Sequence, residues 1–316
     1  MQSNNQFTNM SRTVQSCEYP TNFAQPALID PQTTVRERLT FIKQVIADTD
    51  VDGVVVTLSG DVDSTVAATL AVKALNPESV YGLVLSTGSN LDGNLSATHH
   101  VAADLDITHR TLDITPFVEA LTQTIFTEVR RFASSETLSN LCPQRERVQT
   151  SDNCENSTVF RGTVARRVGK LAAFVEAKAT SRLALGAENR TTMLRDSTIF
   201  ARGRSVDLLP FGDLYRTEVR DIAQYLDVPT KRNESTTSNI PWFTQVGESD
   251  CRITTETIDM ILWKLVDNGA GIEQTAETLG VEPTFVGHVA VRYARRVQHH
   301  ETPPIPKRDS PPVGGI

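Results

Sequence analysis

The sequence has few cysteines, no long apolar run and no excess of basic charge, and each deficit narrows the possible functions. No apolar run approaches the roughly 18 residues of a membrane-spanning helix, and the polar N-terminus lacks the apolar stretch of a signal peptide. The cysteines are widely scattered and form no C-x-x-C pair, so we expect free thiols; they are Cys17, Cys142, Cys154 and Cys251. The sequence therefore predicts a cytoplasmic protein with no membrane partner.

The net charge of −7 at pH 7 argues against a nucleic-acid partner, because phosphate backbones attract basic surfaces. The charged fraction of 22% and the hydrophobic fraction of 39% are ordinary for a globular protein. A chain of 316 residues can bury a sizeable core as one large or two small domains. We predict a polar, flexible arm over residues 1–30, one domain over 31–300 and an extended, proline-rich tail over 301–316.

Helical periodicity and short apolar strands alternate along the first two thirds of the chain. Strands are predicted at residues 54–58, 80–85, 108–112 and 182–185, each between helices that have an apolar face. Three further helices are predicted at 255–268, 272–279 and 283–298. Short strands that are apolar throughout are typical of a parallel sheet covered on both faces. The predicted fold class is α/β, a doubly wound parallel sheet with helices on both faces and closing C-terminal helices.

The stretch VVVTLSGDVDST, Val54–Thr65, joins the first predicted strand to a helix through a tight turn. In an open parallel sheet, ligands bind beyond the carboxyl ends of the strands, and a helix N-terminus attracts anions there. The turn lacks the lysine of a Walker A loop, and it lacks the G-x-G-x-x-G dinucleotide pattern. Two interpretations remain at this point: a phosphate-binding turn, or an ordinary turn in which Asp63 caps the helix.

Several stretches resemble one family of enzymes. S-G-D-V-D-S resembles the S-G-G-x-D-S signature of PP-loop ATP pyrophosphatases, and VDLLPFGDLYRTEV is similar to the D-I-N-P-I-G-D-L-Y-K-T-Q-V segment of ammonia-dependent NAD synthetases. LALGAENRTT resembles their G-T-x-N-K-S-E turn, and ITTETIDMILWKLVDNG resembles a late helix. The likeness runs collinearly from about Gln32 to Pro306, and it implies an adenine nucleotide alpha hydrolase-like sheet.

The resemblance implies a two-step ligase reaction in a homodimer. The carboxylate of deamido-NAD would attack the α-phosphate of ATP and release pyrophosphate. Ammonia would then displace AMP from the acyl-adenylate to give NAD. The resemblance implies ATP and Mg²⁺ as cofactors and deamido-NAD and ammonia as small-molecule substrates.

The family's motifs place candidate site residues on this sequence, although no catalytic residue is assigned with certainty. The resemblance implies that Asp63 is a Mg²⁺ ligand within the phosphate turn. The candidate ATP-binding residues are Ser59, Gly60, Asp61, Asp63, Ser64, Arg216 and Ser238. The candidate deamido-NAD residues are Arg167, Asp207, His299 and His300. Without the family, Arg167 would be interpreted as a surface ion-pair residue and Asp207 as a turn cap.

The sequence departs from the family pattern at positions that matter for chemistry. Ala187 replaces an ATP-contacting threonine, Thr192 replaces a second Mg²⁺ ligand, and Phe200 replaces a lysine that reaches deamido-NAD. Asp61 replaces the second glycine of the turn. Two interpretations of this carboxylate stay open: a relocated Mg²⁺ ligand, or a sign that the nucleotide site has decayed. If the backbone at this position has a positive φ, aspartate adds strain there. Two alternatives therefore stay open: a non-catalytic nucleotide-binding paralogue with a degenerate site, and a PP-loop ligase that uses a different carboxylate substrate.

Overall fold

The computed structural model describes residues 29–87, 92–132, 158–195, 206–229 and 254–300. The chain divides into two compact units. Described residues 254–290 belong to one unit, and described residues of 29–229 together with 291–300 belong to the other. The proposed N-terminal arm before residue 29 and the tail after residue 300 lie outside the described residues, so these domain boundaries stay a prediction.

Helices and parallel strands alternate in the larger unit. The helices of the whole described chain are α1 (Pro31–Ala47), α2 (Val62–Ala74), α3 (Asp92–Asp104), α4 (Thr115–Phe132), α5 (Thr158–Ala179), α6 (Arg190–Arg195), α7 (Arg216–Tyr225), α8 (Thr255–Leu262), α9 (Ile272–Leu279) and α10 (Pro283–His300). The strands are β1 (Gly53–Leu58), β2 (Val80–Ser86), β3 (Thr108–Asp113) and β4 (Arg182–Leu185). A short 3₁₀ turn, Pro77–Ser79, precedes β2.

Local caps explain why some helices begin earlier than periodicity alone predicts. Helix α1 begins at Pro31, four residues before the first periodic apolar residue, Val35. The Asp30 carboxylate accepts a hydrogen bond from the backbone N–H of Thr33 at 3.1 Å. Proline at the first helical position fits this cap, because its fixed φ suits a helix and its missing N–H would have had no partner there.

The four strands form one parallel sheet in the order β3-β2-β1-β4. In this register Val54 of β1 pairs with Val80 of β2 and with Leu183 of β4. A single parallel bridge between Leu185 and Leu208 extends the sheet beyond β4. Because all strands run in one direction, the turns after β1 and β4 lie side by side at the same edge of the sheet.

Both faces of the sheet are covered, as the sequence predicts. Val54, Val56 and Leu58 of β1 pack against a cluster contributed by α1, α2, α3 and α7. Val55, which points the other way, packs against Ala173 and Ala177 of α5. Helix α4 joins α5 on that second face. The doubly wound α/β class is confirmed.

The smaller unit contains the predicted closing helices α8 and α9 and the first part of α10. The first of them departs from the prediction, since regular α-helix ends at Leu262 and a π-helical segment follows over Trp263–Asp267. The backbone N–H of Asn268 bonds to the carbonyl of Trp263, the i to i+5 spacing of a π-turn. None of the helices in the described ranges combines the length and apolarity needed to span a bilayer.

Candidate active site

The turn after β1 is built on a glycine and a helix cap. Gly60 has a φ of +77°, a conformation that favours glycine. Asp61 follows in extended backbone with a φ of −87°, and its carboxylate accepts a hydrogen bond from the Ser64 N–H at 2.8 Å. Asp61, not Asp63, therefore caps α2, so the alternative cap in the sequence analysis is wrong. The strain considered for Asp61 is absent, because the positive φ belongs to Gly60.

Two serine hydroxyls close the turn. The Oγ atoms of Ser59 and Ser64 lie 3.0 Å apart, and the Ser59 N–H donates to Ser64 Oγ at 3.3 Å. The Ser64 hydroxyl in turn donates to the Asp61 carbonyl at 3.2 Å. Ser64 is buried whereas Ser59 is exposed, so Ser59 is the hydroxyl of the pair that faces solvent. The predicted residues of this turn are thus brought together at the N-terminus of α2.

Asp63 is the point at which three separate parts of the chain meet. Its Oδ2 accepts a hydrogen bond from Asn189 Nδ2 at 3.1 Å, and the Arg216 Nε lies 3.8 Å from the same oxygen. The side chain is only 14% exposed. The pKa of Asp63 is raised to about 7, mainly because burial disfavours the charged form. Arg216 and the Asn189 hydrogen bond lower this pKa, and the nearby Asp61 raises it.

Asn189, which the sequence analysis did not single out, organises the turn after β4. It is fully buried, and its Oδ1 accepts hydrogen bonds from the Thr192 N–H at 2.9 Å and the Thr192 hydroxyl at 3.0 Å. The Asn189 side-chain amide thus donates a hydrogen bond to Asp63 through its nitrogen and accepts hydrogen bonds at the start of α6 through its oxygen. The sequence signal that could have identified Asn189 is its match to the asparagine of the family's G-T-x-N-K-S-E turn. Thr192, at the position of the family's second acidic ligand, offers a hydroxyl bound to Asn189.

Arg216 reaches the site because its helix is anchored to the same turn. The Arg216 N–H donates to Thr191 Oγ1 at 2.9 Å, and Thr191 is fully buried. The start of α7 is further fixed by the Glu218 carboxylate, which accepts from the Tyr215 N–H at 2.6 Å. The Arg216 side chain is 33% exposed, so its guanidinium borders both Asp63 and solvent.

The residues proposed for the second substrate lie elsewhere in the larger unit. Asp207 Oδ2 accepts a hydrogen bond from the backbone N–H of Ala184 at 2.9 Å, and Lys178 Nζ lies 3.7 Å from its other oxygen. Asp207 therefore pairs with the edge of β4, in keeping with a capping role. Arg167 is exposed on α5, one helical turn before Lys170, which forms an ion pair with Glu188 in the turn after β4.

The structure does not describe the side chains of the remaining candidate residues. Ser238 and Phe200 lie outside the described residues. His299 and His300 are the last two residues of α10, where only the backbone is described. In the described ranges, no cluster of three or more histidine, cysteine, aspartate or glutamate side chains is arranged to hold a metal ion.

Comparison with known proteins agrees with the site's motifs. The NAD synthase family model matches residues 34–304. The chain is 26% identical to the NH₃-dependent NAD⁺ synthetase of Halobacterium salinarum, over 86% of this chain and 92% of that protein. It is 28% identical to the enzyme of that name from Pyrococcus furiosus, over 86% of this chain and 94% of that protein. The expectation of an enzyme of the ligase class agrees with these names.

Solved structures share the fold at lower identity. The NH₃-dependent NAD synthetase of Campylobacter jejuni superposes with a TM-score of 0.61 at 20% identity, covering 88% of this chain and all of that one. An NMN synthetase from Francisella tularensis gives the same TM-score and identity, covering 89% of this chain and all of that one. The family match spans most of the chain and includes every element around Asp63: the chain belongs to the NAD synthase family.

Proposed function

We propose that this protein is an ammonia-dependent NAD synthetase that converts deamido-NAD to NAD with ATP and ammonia. The observation that carries the proposal is the convergence at Asp63 of the turn after β1, Asn189 from the turn after β4, and Arg216 from α7. These three segments are far apart in sequence, and each carries a motif that resembles the family. A buried carboxylate with a raised pKa, held by polar groups from separate segments, is typical of a functional site.

The turn after β1 is suited to the phosphates of ATP. It presents the N-terminus of α2, the exposed Ser59 hydroxyl and the Gly60 backbone, which has a positive φ, and Arg216 adds a cation on a neighbouring element. Backbone N–H groups and a guanidinium aimed at developing charge favour the departure of pyrophosphate. In the proposed first step an oxygen of the nicotinate carboxylate attacks the α-phosphorus, and the bond from that phosphorus to the pyrophosphate oxygen breaks.

The residues around Asp63 fit a Mg²⁺ ion that is held jointly by protein and nucleotide. Mg²⁺ takes oxygen ligands and is commonly bound by one or two carboxylates together with substrate phosphates. Asp63 supplies one carboxylate that already lies beside the turn. When bound, the ion would neutralise phosphate charge. Arg216 and Asn189 both contact Oδ2 of this carboxylate, so its other oxygen, Oδ1, is the one that we propose for the ion.

The second step needs a place for the dinucleotide and for ammonia. Ammonia nitrogen attacks the acyl carbon of the adenylate, the carbon–oxygen bond to AMP breaks, and the amine loses a proton to give the amide. We assign the dinucleotide to Arg167, Asp207, His299 and His300, on the residue-by-residue resemblance. Free ammonia is the proposed nitrogen source, as the names of the matched relatives state for those proteins.

Exposed apolar side chains support a homodimer. Phe117 and Leu121 on α4 are 61% and 43% exposed, and Leu171 and Val175 on α5 are 62% and 55% exposed. Both pairs have i, i+4 spacing, and α4 packs against α5 on one face of the sheet. Large exposed apolar patches commonly mark protein interfaces. We propose that this patch, the α4–α5 face, is covered by a second copy of the chain in the cytoplasm.

Two observations favour the alternative of a degenerate paralogue. The Asp61 carboxylate occupies the Ser64 N–H, which would otherwise be free for a phosphate, and Thr192 supplies no carboxylate. A ligase for a different carboxylate is the other alternative, since a neighbour with the same fold is named an NMN synthetase.

A thermal-shift measurement tests nucleotide binding directly. Millimolar ATP with Mg²⁺ should raise the melting temperature, because a ligand that binds the folded state stabilises it by mass action. Ser64→Ala and Asp63→Asn should each reduce that shift, whereas the matched controls Ser96→Ala and Asp104→Asn on α3 should not. Equal shifts in all four variants would contradict the proposed site. No shift in the wild type would contradict both the synthetase and the nucleotide-binding paralogue, and would favour a decayed site that binds no nucleotide.

A further inference from the structure

An ion pair joins α5 to the turn after β4, one residue before Asn189. Lys170 Nζ of α5 lies 2.5 Å from Glu188 Oε1, and the two side chains are only 21% and 15% exposed. The pair between Arg161 and Glu119 is closer to solvent, with side chains that are 35% and 58% exposed. The charges of Lys170 and Glu188 have lost most of their contact with water, so each depends on the other for compensation.

Two glycines lie where α5 and the turn after β4 come close to their neighbours. A Cβ atom on Gly169 would lie 2.6 Å from Leu85 Cδ1, so α5 packs closely on β2 immediately before Lys170. A Cβ atom on Gly186 would lie 2.4 Å from Glu188 Oε2, so the Glu188 carboxylate lies against the backbone at the end of β4. Because the carboxylate occupies this space, its position is linked to that of the turn itself.

The second oxygen of Glu188 makes the dependence on Lys170 stronger. Glu188 Oε2 is buried, and no group in the described parts of the chain donates a hydrogen bond to it. Lys170 is the cation that the structure places on this carboxylate. A buried charge that loses its partner is strongly destabilising. Without Lys170, Glu188 would therefore be driven toward water, and the turn would have to move with it.

A movement of Glu188 would be passed to Asn189, the next residue. Asn189 Nδ2 donates to Asp63 Oδ2 at 3.1 Å. We propose that Lys170 is a positioning residue of the candidate active site. By pairing with Glu188, it keeps the turn after β4 where Asn189 reaches Asp63. The proposal concerns how the site is held, and only its expected effect on pyrophosphate release rests on the proposed synthetase function.

The two partners differ in what happens when one is left alone. In Lys170→Met the Glu188 carboxylate stays behind without its cation. In Glu188→Gln the lysine stays behind, and its long side chain can extend from a regular helix toward solvent without moving the turn. We therefore expect Lys170→Met to disturb the site more than Glu188→Gln does. The double variant has neither charge, so it should disturb the site less than Lys170→Met alone.

An NMR titration of the Asp63 carboxyl carbon in the ligand-free, full-length protein tests the position of Asn189 directly. The pKa of Asp63 is about 7, and the Asn189 hydrogen bond lowers it, so loss of this bond in Lys170→Met should raise it by roughly one pH unit. Lys170→Arg keeps a cation and should titrate closer to the wild type, and the matched control Lys43→Met, an exposed lysine of α1, should titrate like the wild type. The other charged groups that act on Asp63, unchanged in these variants, are Asp61, Arg216 and Arg220.

Pyrophosphate release with ATP, Mg²⁺, deamido-NAD and ammonium gives the second measurement. Lys170→Met should lower kcat about tenfold or more, because a displaced group in the site slows the reaction, and Lys170→Met/Glu188→Gln should recover part of this loss. An unchanged Asp63 titration in Lys170→Met would overturn the proposal, and so would a double variant that is no better than this single one. A wild type that releases no pyrophosphate would contradict the synthetase alone, and the titration would still decide the role of Lys170.

Melting curves show whether each variant folds. If Lys170→Met does not melt cooperatively, Glu188→Ala decides, because it also breaks the ion pair but leaves no buried carboxylate behind. A pKa of Asp63 above the wild-type value in this variant would support the positioning role of Lys170, and an unchanged pKa would refute it.

Discussion

Replacing Asp61 tests what the unusual carboxylate of the turn does to nucleotide binding. Asp61→Asn is the sharpest change, because asparagine caps helices as well as aspartate does and can still accept from the Ser64 N–H. The variant therefore removes the charge and keeps the cap. Its stability should lie within a few tenths of a kcal/mol of the wild type.

The charge itself has a larger predicted effect. At an effective dielectric constant near 20, a unit charge about 5 Å from a phosphate charge is repelled by roughly 3 kcal/mol, which is about a hundredfold in affinity. Removing Asp61 also removes one of the influences that raise the pKa of Asp63, so the proposed metal ligand ionises more readily. Both effects predict that Asp61→Asn binds ATP more tightly than the wild type, by up to about a hundredfold.

The assay is a calorimetric titration of wild type, Asp61→Asn and Asp61→Gly with ATP at fixed Mg²⁺, repeated in EDTA. Glycine removes both charge and cap at a helix cost of only a few tenths of a kcal/mol, so both variants should bind ATP more tightly than the wild type. Weaker Mg²⁺-dependent binding by Asp61→Asn, with ATP binding in EDTA unaffected, would refute the reasoning and show that Asp61 is a metal ligand. Unchanged affinity in both variants would show that the turn does not face the phosphates.

Three further predictions concern stability and assembly. In the folded state the pKa of Asp63 is about 7, above the ordinary value of 3.8, so the contribution of this residue to stability falls as the pH rises from about 4 through 7. Asp63→Asn should therefore raise the free energy of unfolding, measured with urea, by up to about 4 kcal/mol at pH 8 and by little at pH 4. Asn189→Ala should abolish pyrophosphate release and lower the melting temperature by several degrees, because it removes the hydrogen bonds that Asn189 makes to the partly buried Asp63 and Thr192. Full activity of this variant would contradict the positioning role of Asn189. Light scattering at micromolar concentration should give a dimer for the wild type and a monomer for Leu171→Glu, and a monomeric wild type would contradict the proposed α4–α5 interface.

Much of the architecture could be predicted because parallel sheets leave a strong pattern in sequence. Val54, Val55 and Val56 are buried on both faces of β1, so the strand is a continuous apolar run rather than an alternating one. The start of α1 could not be predicted from apolar spacing, because it depends on the cap at Asp30, whereas the first periodic apolar residue is Val35. Helix α6 is so short that periodicity could not distinguish it from a turn.

Some members of the candidate site could be predicted from the sequence, but their contacts could not. Motif resemblance placed Asp63 and Arg216 at one site, and they lie together. It did not reveal that Asn189 joins Asp63 to the turn after β4, because a hydrogen bond between residues 126 positions apart leaves no local signal. The capping role of Asp61 was also missed, since the family's glycine at that position has no side chain to cap a helix.

Pyrophosphate release in the presence of ATP, Mg²⁺, deamido-NAD and ammonium tests the central claim most directly. The account predicts that pyrophosphate and NAD appear in equal amounts, that both require deamido-NAD, and that Asp63→Asn abolishes both while Asp104→Asn does not. Binding of ATP without any release of pyrophosphate from the wild type would contradict the proposed synthetase and leave a nucleotide-binding paralogue.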